Sequence, residues 1–340
     1  MPRNSAIRYW LVMLASLGLI LGAIYISLTN GQFDMSVTDV AKTLLRIHPS
    51  PDYDLVIFDF RLPRIVIAAL VGFALGIAGA VIQGVTRNGL ADPGILGINA
   101  GAGAAIVLFM FFFQGGFNAL GWLSTLSMPL FGLIGGLGAA ALIYFFSWRN
   151  GKLDSQRLIL VGIAVGSGLG ALTLFLSLRM NPHDFEMAAV WLTGSIWNAN
   201  WAYIVSMLPW LIVLIPMIMR KAYIIDLLQL GEDGAKSLGV STEKDKNTLL
   251  LGSIGIVSVC VSVSGNIGFI GLMAPHIARR LVGIHYQRVL PVSGMMGMAL
   301  VIVSDCIARM VFAPAELAVG IVISIIGVPY FVYLLYKAKA

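Results

Sequence analysis

Apolar residues occur along this chain in long unbroken runs, and polar residues gather in the short stretches between them. The first run, Tyr9 to Leu28, follows Arg3 and Arg8. Eight more are Ile65 to Thr86, Ile95 to Phe113, Leu126 to Phe146, Leu158 to Leu178, Trp201 to Met219, Thr248 to Ser264, Leu290 to Ala308 and Leu317 to Tyr336. Each is close to the roughly 20 residues an α-helix needs to cross the hydrocarbon of a bilayer, so each predicts a span. A cleavable signal has a shorter apolar core and a small-residue cleavage site, so the first run is expected to stay in the membrane. Met187 to Trp197 and Ile267 to Ala278 are shorter, and length alone makes both interfacial or re-entrant.

Composition sharpens this picture. Of 340 residues, 59% are hydrophobic and 11% charged, a balance foreign to soluble globular chains. At about 30 to 35 residues per span and loop, residues 1–340 are expected to form a single all-α membrane domain of roughly ten helices, with no appended enzyme domain. The 38 glycines exceed average usage. They recur at small-xxx-small spacing, Gly72 with Gly76, Gly132 with Gly136, and Gly162, Gly166 and Gly170, which suits close helix packing in lipid.

Charge decides how the shorter runs are read, because Lys and Arg concentrate in cytoplasmic loops. With the amino terminus inside and Ile267 to Ala278 crossing, sixteen of the 22 basic residues fall inside. If that stretch did not cross, Arg279, Arg280, Arg288, Lys337 and Lys339 would move outward and leave an even split. Ten spans with both termini cytoplasmic are therefore expected, in a cell membrane and in contact with lipid. The net charge of +6 is scattered through short loops instead of forming one basic face, so no nucleic-acid partner is expected.

Two long connections remain, Thr29 to Phe60 outside and Arg220 to Asn247 inside. The inner one, residues 220–247, places Leu227, Leu228, Leu230, Ala235, Leu238 and Val240 among Gly231, Gly234 and Gly239, a pattern of two short amphipathic helices about a glycine turn. A loop that only joined two spans could be shorter and less apolar, so the segment predicts a docking surface for another protein.

Catalytic chemistry is absent from the pattern. The phosphate-binding GxxxxGK[ST] loop is missing, its nearest approaches being Gly151-Lys152-Leu153 and Ala235-Lys236-Ser237, so the chain is not expected to hydrolyse ATP. Cys260 and Cys306 lie far apart in apolar stretches, without a CxxC or histidines at ligand spacing, so neither metal nor cofactor is expected. Ionisable groups in the spans are scarce. Asp305 and Arg309 are four apart on one helix face and read as a structural pair. His276 lies near the inner surface beside Pro275, and Pro275 and Pro329 are expected to interrupt or kink their helices. A secondary carrier needs buried relays that are missing here, so a passive pathway driven by a partner fits better. The fifth span carries Ser167, Thr173 and Ser177 beside its glycines, which leaves two readings, close packing or a polar pathway wall.

Several segments resemble the permease subunits of ABC importers for iron-siderophore complexes, haem and cobalamin, along most of the chain. Phe60-Arg61-Leu62-Pro63-Arg64 resembles the family's RLPR start of the second span, and Gln83 to Pro93 its QxxxxNPLADP. Gly265 to Arg279, GNIGFIGLMAPHIAR, with Arg288-Val289-Leu290-Pro291, Ser304 to Arg309 and Glu316 to Phe331, is similar to its carboxy-terminal stretch. Gly89 and Ala318 stand where the family has proline, which loosens the backbone there.

The resemblance implies two permease subunits, a homodimer or heterodimer, around a central pathway, with ATP-binding subunits inside and a substrate-binding protein outside. It implies that Arg61, Arg64 and Arg309 receive acidic residues of the binding protein. Gly231 to Val240, with Gly231, Glu232, Gly234, Ala235, Leu238 and Gly239, would contact the ATPase, and Gly166, Ser167, Gly170 and Thr173 in the fifth span would line the pathway. The function it implies is import of an iron(III) siderophore, with cobalamin and haem as alternatives.

Overall fold

A computed structural model of the protein describes residues 3–30, 35–47, 50–113, 122–149, 152–153, 155–313 and 315–339. These residues form a helical membrane bundle. Its helices are α1 (Arg3–Thr29), α2 (Val37–Leu44), α3 (Pro51–Asp54), α4 (Leu62–Thr86), α5 (Ile98–Phe113), α6 (Trp122–Ser147), α7 (Ser155–Ser177), α8 (Pro182–Leu192), α9 (Trp201–Arg220), α10 (Ala222–Leu228), α11 (Glu232–Ser237), α12 (Thr242–Ser264), α13 (Ile270–Val282), α14 (Tyr286–Met310) and α15 (Val319–Lys339). A two-residue antiparallel ladder joins Trp148–Arg149 to Lys152–Leu153 between α6 and α7.

Eight helices are long and apolar enough to cross a membrane. α5, with 16 residues, and α13, with 13, complete the ten apolar segments expected. At 1.5 Å per residue α13 is about 20 Å long, short of the roughly 30 Å of hydrocarbon, and the non-helical residues 265–269 precede it. Met187 to Trp197 is the end of α8 and a non-helical return, not a span.

The connection Thr29 to Phe60 is more ordered than its polarity predicts. Pro51–Thr86 is one continuous helical stretch of 36 residues, with π-helical turns at Leu55–Arg61. Pro63, at the start of α4, has no N–H to give to the preceding turn, and the wider turns before it absorb the mismatch.

α4, α12 and α14 are buried on nearly every face and form the core. α4 and α14 run antiparallel: Gly72 packs on Gly297, Gly76 on Ser293, and Gly84 on Tyr286. Any side chain at Gly72 or Gly76 would meet the backbone of α14, so this pair of small residues sets the distance between the two helices.

Neither Pro275 nor Pro329 breaks its helix; both lie inside α13 and α15. For Pro275 the reason is visible. The carbonyl it leaves without an N–H, four residues back at Gly271, accepts from Gln83 Nε2 of α4 at 3.1 Å.

Candidate transport pathway and docking surfaces

The start of α1 and the end of α15 lie at one end of the bundle. There Arg8 donates to the Arg280 carbonyl at 2.9 Å, and the Arg280 guanidinium sits 5.9 Å from the Tyr333 ring of α15. The segment 220–247 is at this end too. Gln229 Nε2 donates to the Gly84 carbonyl at 2.8 Å, and Asp226 accepts from the Tyr286 N–H at 2.9 Å. Burial pushes the Asp226 carboxyl above the ordinary carboxylate range, opposed by that hydrogen bond and by the charge of His285. α10 and α11 are the two short helices expected here, joined at Gly231 with φ of 94°, and Gly239, with φ of 82°, closes the second. Both positive φ values suit glycine. Gly234 packs against Leu230.

The expected contact residues divide by exposure. Leu238 is 59% exposed, with Leu230 and Tyr223 also open. Ala235 is fully buried and belongs to the protein's own core, which corrects its assignment as a partner contact: it anchors α11 instead. The side chain of Glu232 lies outside the described residues.

At the opposite end the three arginines singled out in the sequence come together, turned inward. Arg61 is 6% and Arg64 8% exposed. Arg64 donates from Nε to Asp305 Oδ1 at 2.8 Å and from Nη1 to Glu316 Oε2 at 2.7 Å. Arg309 Nε lies 3.1 Å from Asp305 Oδ2, the i,i+4 pair expected within α14, and a terminal nitrogen of Arg309 donates to Ser27. Arg61 donates to the Leu28 carbonyl. Arg64 thus ties α4 to α14 and to the segment before α15. No sequence spacing could show this, since its partners lie 241 and 252 residues away.

Between these ends the chain breaks repeatedly at one depth. α12 stops at Ser264, residues 265–269 run without helix, and α13 starts beside Gly79 of α4. α8 ends against this break: the Trp191 carbonyl packs on Gly265, and a side chain at Gly194 would come within 2.6 Å of the Asn266 carbonyl. Gly194 and Gly265 have φ of 82° and 66°. Gly320, at the start of α15, donates to the Gly194 carbonyl at 2.9 Å. At the start of α5, Asn99 Nδ2 donates to Asn266 Oδ1 at 2.5 Å.

Two cavities flank the break. One, about 610 Å³, lies along α7 and is lined by Gly166, Ser167, Gly170 and Thr173, with Asn99, Leu192 and Asn266 at its back. The other, about 680 Å³, lies along α15 and shares Leu192 and Asn266. Among the described residues, neither has a charged side chain in its wall. The fifth span divides its roles: a side chain at Gly166 would come within 3.3 Å of Gly97, whereas Gly170 faces open space. Asn99, Leu192 and Asn266 were not singled out in the sequence. An Asn immediately after the Gly265 break was the available signal for the last.

The chain belongs to the FecCD transport family, whose pattern matches residues 19–337, and is a permease subunit of the ABC importer class. It is a multi-pass protein of the cell membrane. It is 54% identical over 323 residues to the iron-uptake system permease protein FeuC of Bacillus subtilis, covering 95% of this chain and 96% of that one. It is 45% identical over 329 residues to the iron(3+)-hydroxamate import system permease protein FhuG of the same organism, covering 97% of each. The Fe(3+) dicitrate transport system permease protein FecD of Escherichia coli is 36% identical over 284 residues, 84% of this chain and 86% of that one. Among solved structures, a metal-chelate type ABC transporter in an inward-facing conformation aligns with a TM-score of 0.80 and 31% identity, over 96% of this chain and 99% of that one.

Proposed function

We propose that this permease forms the pathway for an iron(III) siderophore, entering from a binding protein and driven by ATP-binding subunits on the other side. The observation that carries the substrate class is that FeuC, FhuG and FecD, matched over most of their lengths, are named for iron, ferric hydroxamate and ferric dicitrate. The largely apolar walls along α7 and α15, without a charged side chain among the described residues, support it, because a wall without fixed charge does not trap a chelate in transit. Gly166, Ser167, Gly170 and Thr173 are pathway wall in this reading, completed by a second permease, the same chain or a related one.

The end with the start of α1 and the end of α15 is cytoplasmic, consistent with sixteen of the 22 basic residues lying there under ten spans. Residues 220–247 then form the coupling segment, offering Leu238 to the ATPase from a base held by Ala235, Gln229 and Asp226. The arginine end meets the binding protein. Partner carboxylates reach Arg61, Arg64 and Arg309 there by exchanging with the internal acceptors these side chains now hold.

The test is uptake of 55Fe-labelled hydroxamate, catecholate and citrate chelates by a deletion strain and its complemented parent. Uptake of at least one chelate is expected to depend on the gene, to collapse on ATP depletion, and to survive an ionophore that dissipates only ion gradients. Uptake that follows the ion gradient would point to a secondary carrier and refute the proposal.

A further inference from the structure

We propose that Asn266 is the cargo-contacting donor of the pathway and that Asn99 is its positioning residue. The inference rests on the iron-chelate reading above and adds to it the atom that meets the cargo. Asn266 is an exposed carboxamide in the non-helical break between α12 and α13, and it lines both cavities, so whatever passes between them passes it. A carboxamide has one acceptor oxygen and one donor nitrogen. The Asn266 oxygen is occupied by Asn99 Nδ2 at 2.5 Å, which turns the Asn266 nitrogen toward open space.

Asn99 is itself 8% exposed, and its own Oδ1 is a buried acceptor without a partner among the described residues. Leaving a buried acceptor unpaired is costly, so the orientation is held against a local penalty.

Three of the hydroxyls nearby are already committed, whereas Ser177 Oγ, which lines only the α7 cavity, has no partner among the described residues. Thr173 donates to the Leu169 carbonyl at 2.8 Å, Thr193 to Val190 at 2.8 Å and Ser324 to Gly320 at 2.7 Å, each within its own helix or turn. Asn266 is the one polar side chain among the described residues that lines both cavities, so its N–H is the donor they share. Donors without charge suit a ligand whose surface is rich in negatively polarised oxygen, as in hydroxamate, catecholate or carboxylate chelates of iron(III). Such a contact is strong enough to guide the cargo and weak enough to release it, since a neutral hydrogen bond contributes only modestly once water is displaced.

The experiment uses the assembled permease with its ATPase in proteoliposomes, with binding protein and the 55Fe chelates named above, and reads uptake per mole of complex. Asn266→Asp keeps the size, removes the donor and adds a repelling charge, and uptake is expected to fall at least tenfold. Asn266→Gln should recover half or more of the wild-type rate. Asn266→Leu and Asn99→Ala should each cost about fivefold, and the double variant should be no worse than Asn266→Leu, because positioning is worthless once the donor is gone. Simple structural damage at two sites would instead multiply.

Wild-type uptake by Asn266→Asp overturns the proposal. If that variant does not assemble, wild-type uptake by Asn266→Leu, or a multiplicative double variant, overturns it equally. Failure of the unmodified complex to take up any chelate would overturn the import reading, and this inference with it.

Discussion

At the residue scale, Gln83 shows how one side chain supports a local break of the rules. It donates to the Gly271 carbonyl freed by Pro275, and its own Oε1 accepts from Arg279 at 2.5 Å. Gln83→Leu keeps the volume but strands the Gly271 carbonyl and removes one partner of Arg279, so the purified protein is expected to lose about 1–3 kcal/mol, read as a lower melting temperature in detergent. An unchanged melting temperature would show that other groups satisfy Gly271 and Arg279. The arginines differ in the same way. Arg64 holds two carboxylates, and removing the partner of a buried pair costs about 3–5 kcal/mol, so Arg64→Glu should impair folding as well as docking. Arg61 holds a backbone carbonyl. Arg61→Glu should weaken binding-protein affinity in a salt-dependent way; equal affinity at low and high salt would leave Arg61 as an anchor of α1.

At the scale of elements, the segment 220–247 separates anchor from contact. Ala235, Leu228, Ile224 and Ile225 are buried in the permease, whereas Leu238 points away from it. Leu238→Asp is expected to abolish transport and co-purification of the ATPase while the permease still inserts, because a charge buried in a partner's groove without a counterpart costs a few kcal/mol. Full transport with normal ATPase recovery would remove Leu238 from that interface. The long spans and these two short helices were legible in the sequence, since run length and glycine-bounded leucines report local rules. The helical stretch before α4 was not, because Asp52, Asp54 and Asp59 interrupt its apolar pattern. The ends of α8 and α13 were hidden for another reason: what stops them is contact with Gly265, Gly194 and Gly79, residues remote in the chain. The candidate wall in α7 was legible as a small-residue stripe, whereas the Asn99 to Asn266 bond joins residues 167 apart.

At the scale of the whole molecule, the bundle has two chemically different ends and a layer of broken helices between them. With Cys260 and Cys306 replaced, single cysteines at Arg3, Lys152, Lys244, His285 and Lys337 should resist a membrane-impermeant thiol reagent in intact cells. Those at Ser50 and His183 should react. Labelling at Lys337 from outside would reverse the assignment of the ends.

The shortness of α13 bears on how the protein is made. Thirteen residues with Arg279 and Arg280 at one end are a poor substrate for partition into lipid, so the insertion machinery has little reason to hold them there. What holds them is a surface synthesised much earlier, the Gly79 and Gln83 face of α4. Biogenesis is therefore not strictly one span after another. α13 is expected to enter by docking on protein already in place, and in a released chain truncated after His285, Gln83→Leu should leave α13 open to protease while α1 to α12 stay protected; equal protection of α13 with and without the substitution would refute this.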